Sequence, residues 1–216
     1  MRSAFRWTVA ALTAGPEPGY GAVMATVLLF HHAQGQTPGF LAFADDLRAA
    51  GHAVHAPDLY DGGTFRDLSE GVAYAEKVGF PEIIRRGSEA AEELPADIVY
   101  AGFSLGVLPA QALAQTRPGA RGALFFHSCV PPSEFGTAWP AAVPLQIHMM
   151  DADAWTEVDR PVAQALVEQI PTAELFIYPG STHLFADPSL GDYDEEAAAL
   201  LKQRTFAFLR RVGQTL

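Results

Sequence analysis

The stretch Tyr100-Ala101-Gly102-Phe103-Ser104-Leu105-Gly106 runs from apolar residues into a Gly-x-Ser-x-Gly turn and then into a segment of helical character. A turn of this kind sets a serine on a sharp corner between strand and helix, with glycines where neighbouring backbone must come close. The Ser104 hydroxyl would then stand clear of the sheet. Such a hydroxyl is a poor nucleophile at neutral pH, so it needs a base to take its proton and a carboxylate to hold that base in one tautomer. Candidates follow in that order: Met150-Asp151-Ala152-Asp153, then Pro179-Gly180-Ser181-Thr182-His183. Of the seven histidines, His183 alone occupies a Gly-rich loop after the last strand-like run. His127 and His148 lie in or at the ends of such runs and His52 and His55 flank another, positions that suit structural roles. Asp153 is preferred to Asp151, although either would also serve as a loop or capping residue. Leu105, directly after the nucleophile, offers a backbone N–H to a developing oxyanion.

The elements that must position these groups are readable from periodicity. Thr26-Val27-Leu28-Leu29-Phe30 is a short continuous apolar run of the kind found in parallel strands covered on both faces. Phe40 to Ala50 carries apolar residues at helical spacing and ends at Gly51, and Ala53 to Ala56 is a second strand stopped by Pro57. Residues 64–80 read as a lid-like segment with a short helix, followed by a helix from Pro81 to Leu94. Strands are expected at Asp97–Ala101, Ala123–His127, Pro144–Met149 and Glu174–Tyr178. Helices are expected at Leu105–Thr116, Val158–Gln169 and Tyr193–Val212. Alternation of this kind predicts a single α/β domain over residues 24–216, a doubly wound, mostly parallel sheet with helices on both faces. Residues 1–23 weakly imitate a signal peptide but read better as a dispensable extension.

Composition narrows the function classes. A net charge of -11 repels phosphate backbones and anionic headgroups, which argues against nucleic-acid and membrane-surface partners. Cys129 is the only cysteine, so an intrachain disulfide and a Cys-based zinc site are both excluded; a reducing cytoplasm fits. His31 and His32 are adjacent and cannot readily face one ion together, so neither metal nor cofactor is expected.

Three motifs in order, Ala56-Pro57-Asp58-Leu59-Tyr60, Gly102-Phe103-Ser104-Leu105-Gly106 and Tyr178-Pro179-Gly180-Ser181-Thr182-His183-Leu184-Phe185, resemble the dienelactone hydrolase family of α/β-hydrolases from about Met24 to Val212. The chain order Ser, Asp, His is that of the superfamily. The resemblance implies an α/β-hydrolase fold, places Asp153 as the third catalytic residue through His148-Met149-Met150-Asp151-Ala152-Asp153, and implies that Ala33 supplies the second oxyanion N–H. It also makes His32, Tyr60 and Asp187 candidates for the substrate pocket. Two departures stand out. The family's elbow cysteine is Ser104 here, and the glutamate that controls that cysteine is replaced by His32. Where the family anchors a substrate carboxylate with an arginine, four residues beyond the catalytic histidine, this chain has Asp187. Arg66, Arg85 and Arg86 are cations in or after the lid-like segment, but nothing in the sequence aims them at the site.

The expected activity is hydrolysis of a small ester or lactone through an acyl-Ser104 intermediate, with His183 as base and then acid. Neutral substrates should be preferred to carboxylate-bearing ones, and the protein is expected as monomer or homodimer. Alternatives are a thioesterase or acyltransferase using the same three residues, or a non-catalytic binding protein on the same fold.

Overall fold

The computed structural model describes residues 24–136 and 138–214, so the expectation for residues 1–23 lies outside the described residues. Six parallel strands form one sheet: β1 (Thr26–Phe30), β2 (Ala53–His55), β3 (Val99–Phe103), β4 (Gly122–Phe126), β5 (Leu145–Met150) and β6 (Ala173–Tyr178). Their order across the sheet is β2-β1-β3-β4-β5-β6. The chain therefore winds one way from β1 to β2, returns past β1 to β3 and continues in the other direction, the doubly wound topology expected from the alternating pattern.

The helices are α1 (Pro38–Ala49), α2 (Leu68–Val78), α3 (Phe80–Ala91), α4 (Val107–Thr116), α5 (Ala154–Gln169) and α6 (Glu195–Gly213). Strand alternation assigns the core to two layers. Val27, Leu29, Val99, Phe103, Leu124 and Phe126 face α1 and α6, while Leu28, Phe30, Tyr100, Phe125, Ile147 and Met149 face α2 to α5. All twelve are buried. A sheet covered on both faces explains why these strands read as unbroken apolar runs.

Of the boundaries that depart from the sequence reading, two bear directly on the site. Strand β3 runs two residues further than Ala101, because Gly102 and Phe103 still pair with Phe125 and Phe126 of β4. Ser104 is thus the first residue past the ladder. Helix α5 begins at Ala154 rather than Val158, because Asp153 caps it through a bond from the Trp155 N–H at 3.0 Å. Helix α2 is longer than a short lid element, capped by Asp67 and closed at Gly79.

Candidate active site

The elbow is built by steric exclusion. Ser104 adopts φ of +48°, one of three positive values among the described non-glycine residues. A side chain at 102 would collide with the Gly106 carbonyl, and one at 106 would lie 2.5 Å from the Phe30 carbonyl oxygen. Only glycine at both positions lets the turn tighten against β1. A 3-10 turn over Ser104–Gly106 then leads directly into α4, whose amino end presents the positive pole of its dipole toward Ser104.

From that corner Ser104 Oγ reaches His183 Nε2 at 2.8 Å, and His183 Nδ1 reaches Asp153 Oδ2 at 2.7 Å. His183 and Asp153 are buried. Asp153 also accepts from the Thr156 hydroxyl at 3.3 Å, so its position is fixed from the first turn of the helix it caps. Asp151 is exposed, and its carboxylate accepts the Gly180 N–H at 3.0 Å. It ties the β5 turn to the β6 turn and does not touch His183.

Leu105 and Ala33, the two positions expected to offer oxyanion N–H groups, both line the same cavity as Ser104 and His183. The loop carrying Ala33 is held on several sides. The Gln34 carbonyl accepts from the Phe65 N–H at 3.0 Å, and the Gln34 amide donates to the Phe65 and Arg66 carbonyls. Gly71 of α2 packs so closely that any side chain there would strike the Ala33 carbonyl. The segment over residues 64–80 therefore braces this loop.

His32, Tyr60 and Asp187 do not line that cavity, which corrects their reading as pocket residues. His32 Nδ1 accepts the Gln34 N–H at 3.2 Å, so its Nε2–H donates to Asp187 at 3.0 Å. Asp187 also accepts from the Thr37 hydroxyl and from the N–H and hydroxyl of Ser189. These donors hold its carboxyl at about 2 against the pull of burial, and burial lowers His32. Tyr60 is buried against His31 and Tyr74, with ring centroids 4.9 and 4.8 Å away. Arg85 pairs with Glu82 and Glu89, and Arg86 with Glu82 and Asp61, on α3 outside the cavity.

His52, His127 and His148 are buried within the fold. His148 donates from Nε2 to Gln146 and accepts the Tyr178 hydroxyl at Nδ1, and complete burial pushes it down to about 3. His52 Nδ1 accepts the Ala25 N–H. His127, at φ +73°, is held well below its ordinary range by burial, its ring centroid 5.8 Å from that of His183.

The cavity measures about 140 Å³ and is walled mainly by Ala33, Leu68, Val72, Phe80, Leu105 and Leu108. Its polar members include Ser128 and Asp159, which the sequence reading did not single out. The Ser128 hydroxyl donates to Asp159 at 2.6 Å; burial pushes the Asp159 carboxyl up while that bond and the Cys129 N–H oppose the rise. Trp155, half exposed, sets its ring 5.5 Å from that of His183. A signal for both existed. With Asp153 as helix cap, positions 155 and 159 lie four apart on one helical face, but a helix started at Val158 hides that relation. Among the described residues no group of three or more His, Cys, Asp or Glu is placed to hold a metal ion, and no helix is long and apolar enough to cross a membrane.

A family model described as the dienelactone hydrolase family matches residues 9–213. No protein of established function matches the sequence significantly. Among solved structures, the chain is similar to a dienelactone hydrolase-like promiscuous phosphotriesterase from metagenomic libraries, with TM-score 0.68 and 18% identity over 87% of this chain and 86% of that one. It is similar to a dienelactone hydrolase from Anabaena variabilis, with TM-score 0.60 and 19% identity over 88% and 87%. It is also similar to Thermogutta terrifontis esterase 2 phosphorylated by paraoxon, with TM-score 0.56 and 19% identity over 88% and 83%. At these identities the structural likeness establishes the fold.

Proposed function

The chain belongs to the dienelactone hydrolase family of α/β-hydrolases, and within it we propose that the protein is a serine hydrolase of small neutral esters or lactones. The observation that carries this reading is the continuous hydrogen-bonded chain Ser104–His183–Asp153 at a positive-φ elbow, opening on a cavity that Ala33 and Leu105 also line. In the proposed cycle His183 Nε2 takes the hydroxyl proton as Ser104 Oγ bonds to the ester carbonyl carbon. Asp153 fixes the tautomer and stabilises the imidazolium. The N–H groups of Leu105 and Ala33 receive the oxyanion, each contributing roughly 3 kcal/mol in sites of this type. Collapse breaks the bond to the leaving alkoxide, which takes the proton from His183. Water then adds to the acyl-Ser104 with His183 again as base, releasing the acid and restoring the hydroxyl.

Ser104 makes this chemistry independent of the thiol-controlling glutamate for which His32 stands, since a serine needs only the His–Asp pair. The related esterase captured as a paraoxon adduct supports an organophosphate as a probe. A fluorophosphonate should label the protein stoichiometrically, with peptide mapping placing the adduct on Ser104, and p-nitrophenyl acetate should be turned over. Labelling elsewhere, or no turnover of any ester, lactone or thioester, would sink the proposal. A thioester strongly preferred over its oxygen analogue would move the reading to a thioesterase. The single buried Cys129 suits a reducing cytoplasm, where we place the protein.

A further inference from the structure

The nucleophile's cavity does not end at its own wall. Phe80, Leu108 and Asp159 also line a second hollow of about 680 Å³ between α3, α5 and the loop after β4. That groove is mostly apolar, lined by Ile84, Val130, Pro131, Val158 and Val162 among others, with Glu134 also on its wall beyond Asp159. Val158 is 72% exposed and Phe80 42% exposed. Large apolar side chains left open beside a catalytic cavity mark a binding surface rather than a folding requirement. No lysine or arginine lines either hollow, and Asp159 sits at their junction.

We propose that this groove holds a hydrocarbon or aryl arm of the ester, and that Asp159 at the junction bars substrates whose arm carries a carboxylate. The inference rests on Ser104 being the nucleophile and adds the substrate class. Continuity selects this occupant: an arm attached to a carbonyl at Ser104 that leaves the cavity past Asp159 enters the groove directly. Asp159 is fixed for the task, because the Ser128 hydroxyl and the Cys129 N–H hold its carboxylate in the wall. A second carboxylate brought there would meet like charge with no cation among the lining residues to offset it.

The test uses the full chain with two ester series, p-nitrophenyl acyl esters from acetate to octanoate and alkyl acetates from methyl to octyl. A fully buried methylene is worth about fourfold, and the groove is open, so kcat/KM should rise at least tenfold along one series. Val158→Glu should cut the octyl-to-methyl or octanoate-to-acetate ratio at least fivefold, and Val158→Leu should restore it. Asp159→Asn keeps the shape and should raise kcat/KM for the p-nitrophenyl monoester of glutarate at least fivefold relative to the neutral butyrate. Flat profiles in both series overturn the groove, and an unchanged glutarate ratio overturns the role of Asp159. If Val158→Glu changes only the sedimentation of the protein, the groove is a contact between copies and the proposal fails. Fluorophosphonate labelling separates the two levels: a labelled Ser104 with flat profiles defeats this inference alone, whereas absence of labelling defeats the serine reading and this inference with it.

Discussion

Two buried His–Asp pairs stand near the carboxyl edge of the sheet, and their contents are almost the same. His183 bonds Asp153 at 2.7 Å and His32 bonds Asp187 at 3.0 Å; each has a hydroxyl residue close by, Ser104 in one case and Thr37 in the other. Both carboxylates accept further donors, so neither is idle. The difference lies at the rest of each group. His183 turns its second nitrogen to a hydroxyl on a strained corner with a cavity in front. His32 turns its second nitrogen to the Gln34 backbone N–H, a proton it cannot usefully remove, and the Thr37 hydroxyl donates straight to Asp187. One pair can relay a proton; the other ties the loop after β1 to the turn after β6. Hydroxyl, imidazole and carboxylate in proximity are therefore no triad until the direction of each proton is known.

That contrast can be broken first at the relay itself. Ser104→Ala or His183→Ala should lower kcat/KM by at least about 10⁴, because nucleophile and base act as one unit. Fluorophosphonate labelling should vanish in Ser104→Ala. A double variant hardly worse than either single one is the expected signature, while multiplying losses would mean the two residues act separately.

A smaller effect sharpens the comparison of the carboxylates. Asp153→Asn should cost up to about 10⁴ in kcat through the wrong tautomer of His183, whereas Asp187→Asn and Asp151→Asn should stay within about tenfold when assayed well below their unfolding temperatures. Equal losses at 153 and 187 would show that both pairs take part in turnover.

The smallest effect is on stability. Asp187 drops from an ordinary 3.8 to about 2 in the folded protein, which corresponds to roughly 2 kcal/mol of stabilisation. Because the folded value is the lower one, this contribution is complete above about pH 4 and is lost as pH falls through 2. In urea unfolding, the gap between native protein and Asp187→Asn should be near 2 kcal/mol at pH 6 and shrink toward zero near pH 2. A gap that does not change with pH would mean that Asp187 stabilises by shape rather than by charge.

Much of this arrangement is legible in the sequence because an α/β sheet converts chain order into position. The apolar runs fix β1 and its neighbours, and the loops after β3, β5 and β6 must then meet at one edge, which is why Ser104, Asp153 and His183 can be named in advance. Direction is what the sequence withholds. Between His183 and Asp187 the chain turns, with the Asp187 N–H bonded to the Leu184 carbonyl, so His183 faces the cavity and Asp187 faces Thr37. Spacing from the histidine placed Asp187 in the pocket; the turn removed it. Asp159 is the converse case: its role depends on where α5 starts, and a capping aspartate that is also the histidine's partner disguises that start. The cavity does hold a carboxylate, but it comes from α5 rather than from the turn after β6.

The elbow has a bearing on the protein's history as well as its chemistry. A left-handed backbone position is one that glycine occupies freely and serine does not, yet of the three described non-glycine residues with positive φ, Ser104 is the one where glycine would remove the nucleophile of the proposed reaction. Selection for a longer-lived fold and selection for turnover therefore pull in opposite directions at this single codon. A lineage that kept the scaffold but lost its need for the reaction should drift toward glycine there first, with Asp153 retained because it still caps a helix, and so leave a recognisable fossil of the site.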